Sequence, residues 1–206
     1  MNYKEETKKA YNKYSEEFDE YFEVYFKQYV QKEADNFLSK LKGKKLLDLG
    51  SGPGNNAEYF KERGFDVLCL DISQELLNIC KKKGLKTVLM DIESLQLEEK
   101  FDGVWCYTSL LHMPKEKIPI IIPKIKGTLK PDGLLFLSLI EGQGEGLESN
   151  EKFPGVQRWF AYFTDKEIKN LFSPYFDLVY SSKTPYISTR TNTLKYIFLN
   201  YIFRLL

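Results

Sequence analysis

The chain has 206 residues, a length that suits one domain with a full hydrophobic core and no need of disulfides or metal. Its 30 basic and 29 acidic side chains nearly cancel, which excludes the broad basic field that drives general nucleic-acid binding and leaves only local patches. Three scattered cysteines (Cys69, Cys80, Cys106) make no disulfide framework, and one histidine without a CxxC pair makes no zinc-ligand set.

The amino terminus is polar, without an apolar leader, and the greasy end Tyr196–Leu206 is shorter than the roughly 20 apolar residues of a membrane helix. That end reads as a buried final strand, and a cytoplasmic protein is expected. Residues 3 to about 41 read as helical, with no Pro or Gly before Gly43. Tyr11, Tyr14, Phe18, Tyr21 and Tyr25 recur at steps of three and four, which predicts a helix pair packing its aromatic face on the rest. A second role for the same segment is a lid over a ligand, with Tyr11 or Tyr14 turning a hydroxyl toward substrate.

Residues 44–56 organise the rest of the chain. Leu46, Leu47 and Leu49 form a short apolar run, glycines then alternate at Gly50, Gly52 and Gly54, and a helical pattern begins near Asn56. A strand, a glycine turn and a helix make the first unit of a doubly wound sheet, whose ligands sit beyond the carboxyl ends of the strands. A dinucleotide fingerprint needs its third glycine at position 55, which is Asn55, and Asp48 stands ahead of the first glycine. Asp48-Leu-Gly50-Ser-Gly52-Pro-Gly54 resembles the first motif of class I S-adenosylmethionine (SAM) dependent methyltransferases. A carboxylate suits the ammonium and sulfonium of SAM and sits badly against a pyrophosphate.

The second strand, Phe65 to Leu70, ends at Asp71, with Ile72 next and Ser73 as the N-cap of a helix that runs from Gln74 to Lys83. Asp71 lies 21 residues past Gly50, where nucleotide-binding α/β folds place the carboxylate that holds ribose hydroxyls. The third strand, 86–90, ends at Asp91-Ile92. The resemblance implies adenine recognition there. The fourth, Phe101-Asp102 to Tyr107, leads to His112, a candidate general base by its ordinary pKa. The resemblance places backbone groups near Tyr107 toward the amino-acid end of SAM. Cys106-Tyr107-Thr108-Ser109 departs from the N/D-P-P-Y signature of the amino-methylating branch of the family.

A helix interrupted by Pro119 and Pro123 follows, then a turn at Lys130–Gly133 and a fifth strand, 134–140. Residues 141–148 carry glycines at alternate positions with acids interleaved and read as a mobile loop at a substrate entrance. Arg158, Trp159, Phe160 and Tyr162 are core or acceptor pocket, with Arg158 suited to a substrate carboxylate. Thr164 to Glu167 is a capping box, and strands six and seven follow at 176–183 and from Leu194.

The expected fold is α/β, a Rossmann-like doubly wound sheet of seven strands. The resemblance adds that the last strand is antiparallel, with helices on both faces, in one domain of residues 1–206 whose residues 1–41 form a helical lid and 42–206 the α/β core. The implied activity is methyl transfer from SAM, released as S-adenosylhomocysteine (SAH), to an O, N, S or C atom of a small molecule. Cofactor candidates are Asp48, Gly50, Gly52, Gly54, Asn55, Asp71, Ile72, Asp91, Ile92 and Tyr107. His112 and Tyr14 are catalytic candidates, Tyr11, Arg158 and Tyr162 substrate contacts, and no metal, nucleic acid or membrane is expected. Two alternatives stand: an NAD(P)-dependent reductase, disfavoured by Asp48 and Asn55, and a non-catalytic nucleoside-binding module of the same fold.

Overall fold

Apolar runs bounded by glycine turns become parallel strands where they are buried on both faces, and the centre of this protein follows that rule. The computed structural model describes residues 2–187 and 192–206. Strands β1 (Lys45–Leu49), β2 (Asp66–Asp71), β3 (Lys86–Leu89), β4 (Phe101–Tyr107) and β5 (Leu129–Glu141) pair in parallel in the order β3-β2-β1-β4-β5. Two more strands, β6 (Glu145–Asn150) and β7 (Phe153–Phe163), precede the carboxyl-terminal pair β8 (Phe176–Ile187) and β9 (Leu194–Leu205). β9 lies antiparallel to β5 and β8 antiparallel to β9, so the seven main strands follow β3-β2-β1-β4-β5-β9-β8. This is the expected seven-stranded mixed sheet with helices around it.

The carboxyl-terminal run Phe198 to Phe203 is buried as strand β9, as its apolar pattern predicts. Trp105 of β4 sits at the middle of the core, stacked on Phe136 of β5 at 3.8 Å. Phe37 of α3 (Gln31–Lys40) and Phe60 of α4 (Asn55–Glu62) close on the same ring. Burying a side chain of this kind stabilises by about 1.5–3 kcal/mol. The Lys130–Gly133 turn survives as a break in register between β4 and β5, with Asp132 at φ 62°.

Two expectations are corrected. The amino-terminal segment is three helices and not a pair: α1 (Tyr3–Lys13), α2 (Ser15–Tyr25) and α3, with a π-helical turn at Phe26–Val30. Tyr14 separates the first two by leaving helical geometry at φ −118°, ψ 32°, without Pro or Gly. Only the part up to Val30 lies over the ligand side of the sheet, because α3 carries Phe37 into the core.

The stretch read as a mobile loop is a hairpin. β6 pairs antiparallel with β7, and β7 pairs in parallel with the end of β5 at Ile140–Tyr162 and Glu141–Phe163. The turn between β5 and β6 uses Gly142 and Gly144, both at positive φ. α1 packs on β7: Thr7 Oγ1 accepts from the Trp159 backbone N–H at 2.9 Å, and Tyr14 donates to the Pro154 carbonyl at 2.7 Å. Helices α5 (Gln74–Lys82), α6 (Ile118–Thr128) and α7 (Asp165–Phe172) complete the fold. Pro119 takes the first turn of α6 and Pro123 is accepted inside it. Thr164 and Glu167 form the reciprocal capping box of α7, and the Thr164 backbone N–H holds Glu167 down at about 2. Among the described residues no helix is long and apolar enough to cross a membrane.

Candidate active site

The turn after β1 brings the backbone to the carboxyl edge of the sheet. Gly50, Gly52 and Gly54 all take positive φ, which L side chains seldom adopt. Gly50 is also fixed by crowding: a Cβ there would lie 2.3 Å from Ser109 Cβ, whose hydroxyl donates to the Leu49 carbonyl at 2.7 Å. At Gly52 a Cβ would meet nothing within 4 Å. The open space beside Gly52 belongs to a cavity lined by this turn, Asp71, Ile72, Asp91, Ile92, Tyr107 and the lid.

Two carboxylates lie at this turn. Asp71 ends β2, accepting from the Gly52 N–H at 2.9 Å and the Ser73 N–H at 2.8 Å. Burial raises its carboxyl to about 6 against the pull of those donors. Asp48 of β1 is 1 % exposed and its Oδ2 has no hydrogen-bond partner. Burial, with the Asp71 charge added, pushes it up to about 8. A buried carboxylate with a free oxygen is costly unless something cationic or donating joins it.

The lid reaches the same edge at several points. Lys4 of α1 pairs with Asp91 and with Glu93, the latter at 3.1 Å, and Tyr3 donates to Glu93. Ser73 donates to Asn12 at 2.6 Å. Asp19 of α2 accepts from Asn55 at 3.2 Å and from Lys83 at 2.6 Å. The cavity enclosed beneath is about 130 Å³.

A second cavity, about 1130 Å³, opens on the other side of Tyr11 and His112. Its wall includes Phe18, Phe153, Phe160 and Phe198, together with Arg158 and Lys152. The two cavities share Tyr11, Phe22, Tyr25, Thr108 and His112. Thr108 has φ 53°, an uncommon strain for a β-branched residue, of the sort that collects at functional sites.

A hydrogen-bonded chain crosses this junction. The Trp159 carbonyl can only accept, so His112 Nδ1 carries a proton and donates to it at 2.7 Å. His112 Nε2 then accepts from the Tyr11 hydroxyl at 2.6 Å, and Tyr11 oxygen accepts from Arg158 at 3.1 Å. Burial and the Arg158 charge drive His112 down to about 3. The imidazole is neutral, with both nitrogens committed, which is not the free general base that its ordinary pKa suggests.

The structure thus gathers Gly50, Gly52, Asn55, Asp71, Ile72, Asp91, Ile92 and Tyr107 around the first cavity, and Tyr11 and Arg158 at the second, while Asp48 is buried in β1 just ahead of the turn and lines neither. Gly54 caps α4 from beneath, against Cys80 and Leu85. Two expectations fail on geometry. Tyr14 is turned to Pro154 and lines neither cavity. Tyr162 also lines neither, and donates to Glu148 at 2.6 Å. Sequence reasoning missed Tyr25 and Thr108 as junction residues; the aromatic stripe contained Tyr25, but nothing local marks Thr108.

Comparison with known proteins points to methyltransferases by sequence and by fold. Residues 47–137 match the family model described as a methyltransferase domain. The chain is 38% identical over 111 residues to a ubiquinone biosynthesis O-methyltransferase of Haemophilus ducreyi, covering 48% of this chain and 46% of that protein. The chain spans about half the length of the curated relatives it matches. It also resembles the 1,6-didemethyltoxoflavin-N1-methyltransferase of Burkholderia thailandensis, solved with 1,6-didemethyltoxoflavin and SAH. That likeness has a TM-score of 0.62 and 26% identity, over 78% of this chain and 70% of the other. The DhpI–SAH complex shares the fold at a TM-score of 0.72 and 16% identity, over 98% and 96% of the chains.

Proposed function

We propose that this chain, whose residues 47–137 match the methyltransferase-domain model, is a class I SAM-dependent methyltransferase that transfers a methyl group from SAM to a small-molecule acceptor. The observation that carries the reading is the glycine turn itself, with open space at Gly52, Asp71 in the cavity wall beside it and Asp48 buried just ahead of it with one oxygen unpartnered. Two raised carboxylates at one glycine turn call for positive charge. SAM brings an ammonium and a sulfonium, whereas the pyrophosphate of a nicotinamide cofactor would add negative charge to them. The same argument disfavours the reductase alternative.

When bound, SAM supplies an already activated methyl group. In this reading Asp48 and the Gly50–Gly54 turn hold its amino-acid end. Asp71 keeps free lone pairs on both oxygens for ribose hydroxyls while the Gly52 and Ser73 amides keep its orientation. Ile72 and Ile92 border the adenine, and Asp91 accepts its amino group, a place that Lys4 of the lid now takes. The acceptor occupies the larger cavity, and the junction at Tyr11, Tyr25, Thr108 and His112 aligns it while α1 and α2 exclude water. Orientation of this kind can supply on the order of 7–11 kcal/mol of the barrier. His112 serves as a positioning residue that holds the Tyr11 hydroxyl. A cytoplasmic location is part of the reading, supported by three buried free cysteines.

Calorimetric titration with SAH tests it. Wild type and Asp66→Ala, whose residue lies at the far end of β2, are expected to bind alike, and Gly52→Val to bind nothing measurable. Normal binding by Gly52→Val sinks the assignment.

A further inference from the structure

The junction between the cavities presents no carboxylate, and the one basic nitrogen there, His112 Nε2, already accepts from the Tyr11 hydroxyl. The other ring nitrogen, Nδ1, donates to the Trp159 carbonyl. Beside the junction, in the wall of the second cavity, stands a positive charge. The Arg158 guanidinium lies 5.0 Å from the ring of Phe160, 5.2 Å from Phe18 and 5.4 Å from Tyr11, and donates to the Tyr11 hydroxyl. Among the described residues no carboxylate forms an ion pair with Arg158, Lys152 or Lys195.

Two carboxylates face this cavity, Glu148, which stands opposite Arg158 in the β6–β7 register, and Glu151, and neither forms an ion pair with Arg158. Glu148 is engaged by the Tyr162 hydroxyl, and Glu151 lines the wall together with Ser149 and Asn150. Lys152 lies over the Tyr21 ring at 3.9 Å and Lys195 over Tyr196 at 5.3 Å, so both add positive charge. Burial raises the Tyr21, Tyr25 and Tyr196 hydroxyls, which stay neutral. The remaining wall is ring upon ring, including Phe153, Tyr186 and Phe198.

We propose that the acceptor is a planar aryl oxide, bound with its ring among these aromatics and its charged oxygen at Arg158 and Tyr11, and that this oxygen is the nucleophile. The proposal rests on the methyl-transfer reading and names the substrate class of the same site. A lone pair of the anionic oxygen forms the bond to the methyl carbon. The carbon–sulfur bond breaks with its electron pair left on sulfur, and an anion and a sulfonium become two neutral groups. No proton moves in that step, which is why the site works with a neutral His112. Meeting of opposite charges is favoured where water is excluded, because the attraction grows as the dielectric falls. Arg158 selects the ionised phenol beforehand, since an opposite charge within about 4–6 Å lowers an acid's pKa by about 1–3 units.

The test uses 4-nitrophenol, whose ionised form has its own visible absorption band, titrated into the protein with and without saturating SAH. Bound nitrophenol is expected to ionise at least about one unit below its value in buffer. Arg158→Gln is expected to lose that shift while still binding SAH, and Arg158→Lys to retain part of it. A 4-cyanophenol and phenol series, falling in acidity in that order, is expected to bind progressively less well at one fixed pH. Nitrophenol bound in its neutral form, or left unbound while SAH binds normally, overturns the inference. Failure of SAH to bind is a separate result that removes the cofactor assignment, and the wild-type nitrophenol shift then decides the anion site by itself. If Arg158→Gln does not fold, the wild-type shift and the phenol series carry the decision.

Discussion

Asp48→Asn separates what the buried carboxylate costs the fold from what it does for a bound cation. In the native protein burial and the Asp71 charge raise this group from 3.8 to about 8, and its Oδ2 has no partner. The unfolded chain ionises it near the ordinary value, so folding takes up a proton throughout the interval between those two values. The native state binds more protons there, and stability falls as pH rises, by about 1.4 kcal/mol per unit. Wild type should therefore lose about 2 kcal/mol relative to Asp48→Asn between about pH 5.5 and about pH 7.0. For a chain of this size that is a relative shift of about 4–8 °C in Tm. Urea unfolding of both proteins at both pH values reads the difference directly, and contributions common to both, such as those of Asp71 and His112, cancel. Parallel stability curves would refute the reasoning. The second arm has the opposite sign: the variant, although relieved of the buried acid, should bind SAH at least about tenfold more weakly, a loss of about 1.4 kcal/mol.

His112 is the chain's one histidine, so its imidazole gives a single set of ring resonances by NMR; they should stay flat from about pH 8 to about pH 5 and report an Nδ1–H tautomer. Its folded pKa lies below 6.5, so the unfolded chain binds the extra proton and stability is lost as pH falls from 6.5 toward about 3; a midpoint near 6.5 in the NMR titration would contradict this. Gly52→Ala should cost only the left-handed backbone penalty of about 1–2 kcal/mol, whereas Gly50→Ala should cost clearly more, because its Cβ runs into Ser109; equal losses in urea unfolding would refute the distinction. Thr164→Ala removes the α7 capping box and should lower stability by about 0.5–2 kcal/mol without changing SAH affinity, checked by urea unfolding alongside calorimetry.

The glycine turn was legible because its requirements are local. Three glycines at alternate positions after an apolar run state where the chain bends, and Asp48 states what charge it meets. The β6–β7 hairpin was not legible for an equally physical reason. β6 reads Glu-Gly-Leu-Glu-Ser-Asn, pairs on one side only, and so needs no apolar face; its order comes from the backbone ladder with β7. The break between α1 and α2 was hidden because Tyr14, an ordinary helix residue, makes it. At the site, Arg158 and Tyr11 could be singled out by residue type, but their union with His112 joins positions about a hundred residues or more apart. The commitment of both His112 nitrogens exists only in the fold. Its sequence-level reading as a free base followed from its ordinary pKa, which burial and Arg158 overturn.

Thermal unfolding of the protein alone, with SAM, with SAH and with NADPH tests the central claim most directly. A ligand present at a hundred times its Kd stabilises by about 2.7 kcal/mol, a shift of roughly 5–10 °C for a chain of this size. The account predicts that shift with SAM and SAH and none with NADPH. A shift with NADPH alone would contradict it at the glycine turn.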